Sequence, residues 1–394
     1  MTAKLSHISL PLKLTFLIFS MVLNCMGLVI LQLSEDISYE KLGFLESFKD
    51  LPIAFISLFA VNFIGKTGTK KALITALVIV GTCSCLLPFI EDFWFYKVWF
   101  AIIGTCFAIG KICVFGIIRN NISDEKSLAQ TMNSVEASFM IGIFVVNMGF
   151  GWLISSQYSE FWKFGFLSIA LLSAVTLFLF SRLTISEAKK TETKGIISEL
   201  SGFVNPVTIA FLGVIFFIVF VEQGFNSWLP SFYKNHLKVD SFFSLQATSF
   251  LALFSYAGRT ATANIIQRFS LSKYYLLCIG LIMAVLTLIV GIQYSISENS
   301  GILVFLFPVI GLFLSPLYPV VNSKMIAQID KDKINLFTSL IVIFSSLGSS
   351  VSSIIMSLLF GKELLNYYPV YILLAVSVLL TVSLIYFKLS GRKI

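Results

Sequence analysis

The chain has 394 residues, of which 57% are hydrophobic and only 12% are charged. A soluble domain of this size carries about twice that charged fraction, so the composition excludes an ordinary soluble protein. The formal net charge of +8 gives no reason to expect nucleic-acid binding, because no soluble basic domain or aromatic-rich loop accompanies it. The composition therefore indicates an integral membrane protein that contacts the lipid bilayer.

Apolar stretches long enough to cross a bilayer fill most of the chain, since a membrane-spanning helix needs about 20 such residues. The predicted spans are 12–33, 46–65, 71–90, 97–118, 134–156, 161–183, 206–232, 244–267, 272–295, 301–323, 337–360 and 367–389. The first is too long for the apolar core of a signal peptide, and no small-residue cleavage site follows it. The predicted fold class is an all-α polytopic membrane protein with twelve transmembrane helices.

The only long polar stretch lies between the sixth and seventh predicted spans. It predicts an N-terminal six-helix half at 1–183, a cytoplasmic linker at 184–205 and a C-terminal six-helix half at 206–394. With the N-terminus inside, the inner segments hold 19 of the 28 Lys and Arg residues and the outer segments hold seven. Basic residues near span ends stay on the cytoplasmic side, so we expect both termini in the cytoplasm. In a bacterium this would be the inner membrane.

Residue types that carry enzymatic chemistry are scarce. The chain has two histidines and six cysteines, with no metal-ligand spacing among them, and it has no nucleotide-binding loop. We therefore expect no enzymatic activity, no catalytic residues, no cofactor and no metal. Because no ATPase domain is present, any uphill work would have to draw on an ion gradient.

The second and eighth spans end in similar ways. Residues 57–73 read SLFAVNFIGKTGTKKAL, and residues 259–275 read RTATANIIQRFSLSKYY. Each sequence places a short basic loop after the second helix of its half, and parallel repeats of six helices are a known transporter architecture. Together with the twelve spans and the central linker, these loops resemble the major facilitator superfamily. Its loop motif, G-x-x-x-D-[RK]-x-G-[RK]-[RK], is met here at Lys66, Gly68 and Lys70, whereas Gly65 replaces the acidic residue.

Four C-terminal segments are similar to the sugar permeases of the fucose–galactose–glucose proton-symporter branch and related bacterial permeases. They are VEQGFNSWLPSFY at 221–233, the pair Gly258-Arg259, GLFLSPLYPVVNSKM at 311–325 and SLIVIFSSLGSSVSSIIMSLLFG at 339–361. The resemblance implies a secondary active transporter for a small polar solute, such as a sugar or polyol. It also implies coupling to protons as symport, alternating access around a site between two halves, and a functional monomer.

Four charged residues within the predicted spans stand out, because a charge at the bilayer centre costs about 2.5–3.5 kcal/mol to insert. They are Lys111, Glu136, Glu222 and Arg259. Lys111 lies about 12 Å and Glu136 about 5 Å from the cytoplasmic side, so the two could pair across neighbouring helices. Such a pair either locks the N-terminal half, or leaves Lys111 as a donor to substrate oxygens. Glu136, Glu222 and Arg259 are the candidates for coupling or gating, and the resemblance assigns the Gly-Arg step to an inner gate.

The seventh span carries most of the predicted substrate contacts. Glu222 is followed by Gln223, Asn226 and Trp228, and Pro230 could loosen the helix. An indole can stack on a sugar ring while amides and a carboxylate bind its hydroxyls. Alternatively, the Trp anchors the outer interface and the Glu pairs with a cation.

The tenth and first spans add two candidates. In the tenth, Pro316 and Pro319 predict a bend beside Asn322, and bends are tolerated where they line a cavity. In the first, Asn24 could bind substrate or bond to a neighbouring helix.

Three other functions stay open. A proton-antiport exporter would carry a Gly-Pro pair in the fifth span, whereas this span has glycines and no proline. An organic-anion transporter would use Lys111 and Arg259. A non-transporting sensor would bind ligand without moving it.

Overall fold

The computed structural model of this chain describes residues 2–121, 125–183, 205–265, 270–295, 301–326, 334–362 and 364–391. Within those ranges the regular secondary structure consists of helices, with no β-strand. Before the central linker the α-helices are α1 (Thr2–Asn24), α2 (Met26–Leu33), α3 (Tyr39–Thr67), α4 (Thr69–Leu86), α5 (Phe93–Asn121), α6 (Glu125–Ser155) and α7 (Phe166–Ser181). After it they are α8 (Pro206–Asn235), α9 (Ser241–Ile265), α10 (Leu271–Ser295), α11 (Gly301–Leu314), α12 (Leu317–Ile326), α13 (Ile334–Gly361) and α14 (Tyr368–Ser390).

These helices account for the twelve predicted spans. Short 3-10 helices at Leu87–Phe89, Ser159–Gly165 and Leu365–Tyr367 precede or follow the longer ones. Ten runs of described residues are long and apolar enough to cross a membrane, and the other two predicted spans fall in α3 and α9. The all-α, twelve-helix membrane fold predicted from the sequence is confirmed.

Two of the spans are each divided into two helices. The first is interrupted at Cys25, and the amide of Asn24 donates to the Ser20 carbonyl 2.9 Å away in its own helix. The tenth is interrupted at Ser315 and Pro316, between α11 and α12. Because proline has no N–H to donate, it removes one helical hydrogen bond, which explains the break predicted there.

Contacts divide the chain into two compact units. Unit 1 comprises Met1–Met26 and Phe48–Lys194, and unit 2 comprises Gly27–Ser47 and Gly195–Ile394. Residues 27–47, which include all of α2 but its first residue and the first third of α3, therefore pack with the C-terminal helices. Of the predicted linker 184–205, all but Asn205 lies outside the described residues, so the division into halves stays a prediction.

Small residues allow close helix packing in each unit. In unit 1, a Cβ atom on Gly142 of α6 would lie 2.6 Å from the Leu17 carbonyl oxygen of α1. In unit 2, a Cβ atom on Gly348 of α13 would lie 2.3 Å from the Phe216 carbonyl oxygen of α8. Larger residues at either position would force these helices apart, so α1 is held close to α6 and α8 close to α13.

Candidate functional site

A buried carboxylate lies in unit 2 where α3 meets α8. Glu46 of α3 is 0% exposed. Its Oε1 accepts a hydrogen bond from Gln223 Nε2 at 2.9 Å, and its Oε2 accepts one from Ser227 Oγ at 2.8 Å. Gln223 also donates to Ser227 Oγ. Gln223 and Ser227 lie four residues apart on α8 and so share one face of that helix. We refer to these three residues as the Glu46 cluster.

Two further polar contacts join residues 27–47 to the end of α8. Asn235 Nδ2 donates to Tyr39 Oη at 2.6 Å. Lys234 Nζ donates to Glu35 Oε1 at 2.8 Å, and this hydrogen bond, followed by the lysine charge, lowers the pKa of Glu35. The second contact is exposed, so solvent screens it and it contributes little to stability.

Trp228 is fully buried in unit 2. Its Nε1 donates to Ser353 Oγ at 3.1 Å, and its ring centroid lies 6.0 Å from that of Tyr39 and 5.0 Å from that of Phe360. Full burial is not the environment of an interfacial anchor, which keeps its polar edge in contact with water. In this structure the indole contacts protein groups, and its predicted stacking on a solute stays a prediction.

The other two candidates on α8 lie on a different face of the helix. Glu222 and Asn226 are both half-buried and are four residues apart, about 100° around the helix from Gln223 and Ser227. Pro230 stays within a continuous α8, but its missing N–H deprives the Asn226 carbonyl of its helical donor. That carbonyl oxygen would lie 2.9 Å from a Cβ atom on Gly27, so α2 approaches α8 closely here.

Arg259 and Asn322 each have a buried polar atom that finds no partner among the described residues. Gly258, which precedes Arg259 in α9, packs so tightly on α11 that a Cβ atom would lie 2.2 Å from the Leu312 carbonyl oxygen. Within the described part of the chain, Arg259 Nε and Asn322 Oδ1 are buried and have no hydrogen-bond partner. A buried polar atom left unpaired costs about 1–3 kcal/mol. A bound solute or water could supply the missing partner at either position.

Unit 1 contains the remaining candidates. Lys111 of α5 is half-buried, and its Nζ lies 5.7 Å from the centroid of the Phe107 ring. Glu136 is in α6, but its side chain is outside what the structure describes, so the predicted Lys111–Glu136 pair remains a prediction. Among the described residues no carboxylate forms an ion pair with Lys111 or Arg259. Asn24 bonds within its own helix, as described above.

Sequence reasoning missed the burial of Glu46. The predicted second span begins at residue 46, so Glu46 is counted with the acidic residues of an outer segment. Helix α3 instead begins at Tyr39, which places Glu46 about two turns inside it. Leu42 and Leu45, both fully buried, are the apolar residues that could have indicated an earlier helix start.

Sequence reasoning also missed a buried charge pair in α3. Lys49 and Asp50 are both buried, with 3.7 Å between Lys49 Nζ and Asp50 Oδ1. They belong to unit 1, whereas Glu46 belongs to unit 2.

One open groove in unit 1 has a volume of about 520 Å³. Exposed Trp94 and Val98 line it, and Lys97 Nζ lies 4.9 Å from the centroid of the Trp94 ring. Its walls are mostly apolar, so it offers a polar solute few hydrogen bonds. The described residues include no group of three or more His, Cys, Asp or Glu side chains able to hold a metal ion.

Comparisons with known proteins bear on the whole chain. The model of the Major Facilitator Superfamily matches residues 13–353. No curated protein sequence matches the chain. A solved structure from work on substrate recognition in proton dependent oligopeptide transporters is similar, with 12% identity, a TM-score of 0.76 and 100% coverage of both chains. A D-xylose-proton symporter has 13% identity and a TM-score of 0.71, covering 95% of this chain and 96% of its own. A nucleoside transporter has 14% identity and a TM-score of 0.72, covering 96% and 100%. Identities this low show a shared fold.

Proposed function

We propose, from the premise that this chain belongs to the Major Facilitator Superfamily, that it is a proton symporter for a small polar solute. Membership of this family supports secondary transport across a membrane by a multi-pass protein. It indicates a transporter and not an enzyme. The sugar or polyol class, the proton coupling, a functional monomer and cytoplasmic termini in a bacterial inner membrane are parts of the proposal. The D-xylose-proton symporter among the similar structures is consistent with the sugar class and the proton coupling.

The observation that carries the proposal is the polar character of α8 in an otherwise apolar bundle. Glu222 and Asn226 are half-buried on one face, and the amide of Gln223 is on the next. A carboxylate and amides together offer donors and acceptors to solute hydroxyls, and the carboxylate can also take up a proton. The proposed solute contacts are Lys111, Glu222, Gln223, Asn226, Trp228, Asn322 and Asn24. Coupling or gating is assigned to Glu136, Glu222 and Arg259.

A second candidate function is the transport of an organic anion. It is favoured by the two intramembrane cations, one in each unit, that have no ion pair with a described carboxylate. A carboxylate or phosphate group would supply the partner that Arg259 Nε lacks among the described residues. A thermal-shift screen of the purified protein against sugars, polyols and organic anions separates the two classes by which compounds raise the melting temperature.

The test of proton coupling uses Glu222→Gln in reconstituted vesicles, with Glu91→Gln as control because Glu91 is also a carboxylate but is exposed. The amide keeps the shape and cannot take up a proton. Accumulation driven by a pH gradient should be abolished in Glu222→Gln, whereas solute counterflow should survive. If Glu222 only binds solute, accumulation and counterflow should fall together. Full accumulation in Glu222→Gln would remove both roles.

A further inference from the structure

We propose that the open groove of unit 1 binds a zwitterionic phospholipid of the surrounding bilayer. One acyl chain lies in the groove, the phosphate contacts Lys97, and the amine of the headgroup lies beside Asp92. The site is separate from the proposed solute contacts and does not depend on the proposed proton coupling.

The groove lies on the surface of a membrane-spanning helix. The run Phe93–Ile118, which contains most of α5, is long and apolar enough to cross a membrane. The α5 residues that line the groove recur every three or four positions from Trp94 to Cys106, so they share one face of the helix. Trp94 is 60% and Val98 46% exposed. Exposed apolar side chains on a membrane-spanning helix contact lipid, so the groove opens to the acyl chains of the bilayer.

The dimensions of the groove fit one acyl chain. From Lys97 to Cys106 the helix rises about 14 Å. Half of a hydrocarbon core of about 30 Å is about 15 Å, which is the depth that one leaflet fills. Ile79 of α4 and Phe48 of α3 supply the other walls. The Thr105 hydroxyl donates to the backbone carbonyl four residues earlier at 2.9 Å, so the occupant needs no polar group at that depth.

Lys97 supplies a positive charge at one end of this apolar groove. Its Nζ lies 4.9 Å from the ring centroid of Trp94, 5.0 Å from that of Phe93 and 5.5 Å from that of Phe48. Within the described part of the chain it forms ring contacts but no ion pair. Aromatic faces hold the ammonium in place by attracting its charge. Its three N–H donors then suit the oxygens of a phosphate group.

The level of Lys97 in the membrane fits a phosphate. Trp94 is one turn before it, near the start of α5, and is exposed. Tryptophan is enriched where the bilayer meets water, at the level of the headgroups. A lysine beside it can reach that level while its apolar stem stays against the groove. The phosphate therefore contacts Lys97 where the acyl chain enters the groove.

An exposed carboxylate at the same end favours a headgroup that also carries a positive charge. Asp92 directly precedes α5, and its Oδ1 accepts a hydrogen bond from the Trp94 backbone N–H at 2.8 Å. That bond fixes the carboxylate about one and a half helical turns before Lys97. A negatively charged lipid would meet repulsion from Asp92, whereas the amine of a zwitterionic headgroup is attracted to it.

The experiment measures lipid binding by native mass spectrometry of the full chain in detergent. The protein is titrated with phosphatidylethanolamine, and separately with phosphatidylglycerol, which has no amine. Lys97→Gln should raise the apparent Kd for phosphatidylethanolamine about fivefold, as expected for one lysine at a headgroup. Lys163→Gln is the matched control and should leave the Kd unchanged. Lys163 is also half-buried, with its Nζ 5.8 Å from the Tyr96 ring centroid, but it does not line the groove. Equal Kd values in the two variants would overturn the proposal.

A second pair of variants tests the acyl chain, and serves also if Lys97→Gln fails to fold. Ala101→Phe places a ring in the groove and should weaken binding, because Ala101 lines it. Ala174→Phe, at an exposed position of α7, adds the same ring elsewhere and should bind lipid normally. Normal binding in Ala101→Phe would refute the site. Protein dimers that this variant abolishes would assign the groove to a second copy of the chain and refute it equally.

The headgroup is tested by comparing the two lipids. The unchanged protein should bind phosphatidylethanolamine more tightly than phosphatidylglycerol. Asp92→Asn should remove that preference and still cap α5, because asparagine caps helices as well as aspartate does. If phosphatidylglycerol binds the unchanged protein as tightly, the zwitterionic assignment is wrong. If Ala101→Phe weakens binding and Lys97→Gln does not, the groove holds a chain without its phosphate, which also contradicts the proposal.

Discussion

Buried polar groups in unit 2 occur in two kinds of surroundings. In the Glu46 cluster the carboxylate, amide and hydroxyl satisfy one another, and next to it the Trp228 indole donates to Ser353. In α9 and α12, Arg259 Nε and Asn322 Oδ1 are buried with no partner among the described residues. A satisfied network fixes the positions of its members, whereas an unsatisfied atom gains from any ligand that reaches it. The first arrangement suits a structural contact, and the second suits contact with solute.

Of the substitutions that test this comparison between satisfied and unsatisfied polar groups, Arg259→Gln should have the largest effect. If Arg259 binds the solute or forms part of an inner gate, the initial uptake rate should fall tenfold or more. A loss of that size is expected when a hydrogen bond to a charged group is removed. Stability should not fall, because the orphaned guanidinium atom is removed. Lys273→Gln, which removes an exposed positive charge in unit 2, is the control and should transport normally. A variant that transports normally but melts earlier would show that Arg259 is structural.

An intermediate effect is expected from Trp228→Phe. Phenylalanine fills less space and cannot donate to Ser353, so unfolding should become easier by about 1–3 kcal/mol. Apparent solute affinity in counterflow should stay unchanged if the indole is purely structural. A double-mutant cycle with Ser353→Ala should show the two losses to be non-additive, because both remove the same hydrogen bond. Weaker solute binding with unchanged stability would instead support stacking of the indole on the solute.

The sequence predicted the parts of this fold that depend on local composition. The lengths of the apolar stretches predicted twelve spans, and Pro316 predicted the break in the tenth, since a missing N–H acts where it lies. The packing of residues 27–47 with the C-terminal helices could not be predicted this way. It depends on contacts between segments about 180 residues apart, such as Glu46 with Gln223.

The candidate site was predicted less completely for a related reason. Charges inside a span identify costly residues, and this rule pointed to Lys111, Glu222 and Arg259. It cannot say which polar atoms find partners, so Gln223 and Trp228 looked equivalent to Asn322 in the sequence. Glu46 was missed because a charge at the apparent end of a span is inexpensive, and only the earlier start of α3 shows that it is buried.

The smallest predicted effect concerns His236, whose surroundings are intermediate between the two kinds described above. It follows α8, is half-buried, stacks on Phe232 at 5.0 Å and lies 3.2 Å from Gln293 Nε2. Burial, and secondly the charge of Lys238, lower the pKa of His236 below its ordinary value of 6.5. The unfolded chain then binds more protons than the folded one below that value. The stability contribution is therefore complete above about pH 6.5 and is lost as pH falls through the lowered folded pKa.

We expect the melting temperature of the purified protein to fall slightly between about pH 6.5 and about pH 5, and His236→Asn to reduce that slope. Lys238→Gln keeps the imidazole and removes only the secondary cause of the pKa shift. The change of its melting temperature with pH should therefore lie between those of the unchanged protein and His236→Asn. If all three proteins show one slope, His236 is not the group that titrates. The acid sensitivity would then have to come from elsewhere in the chain.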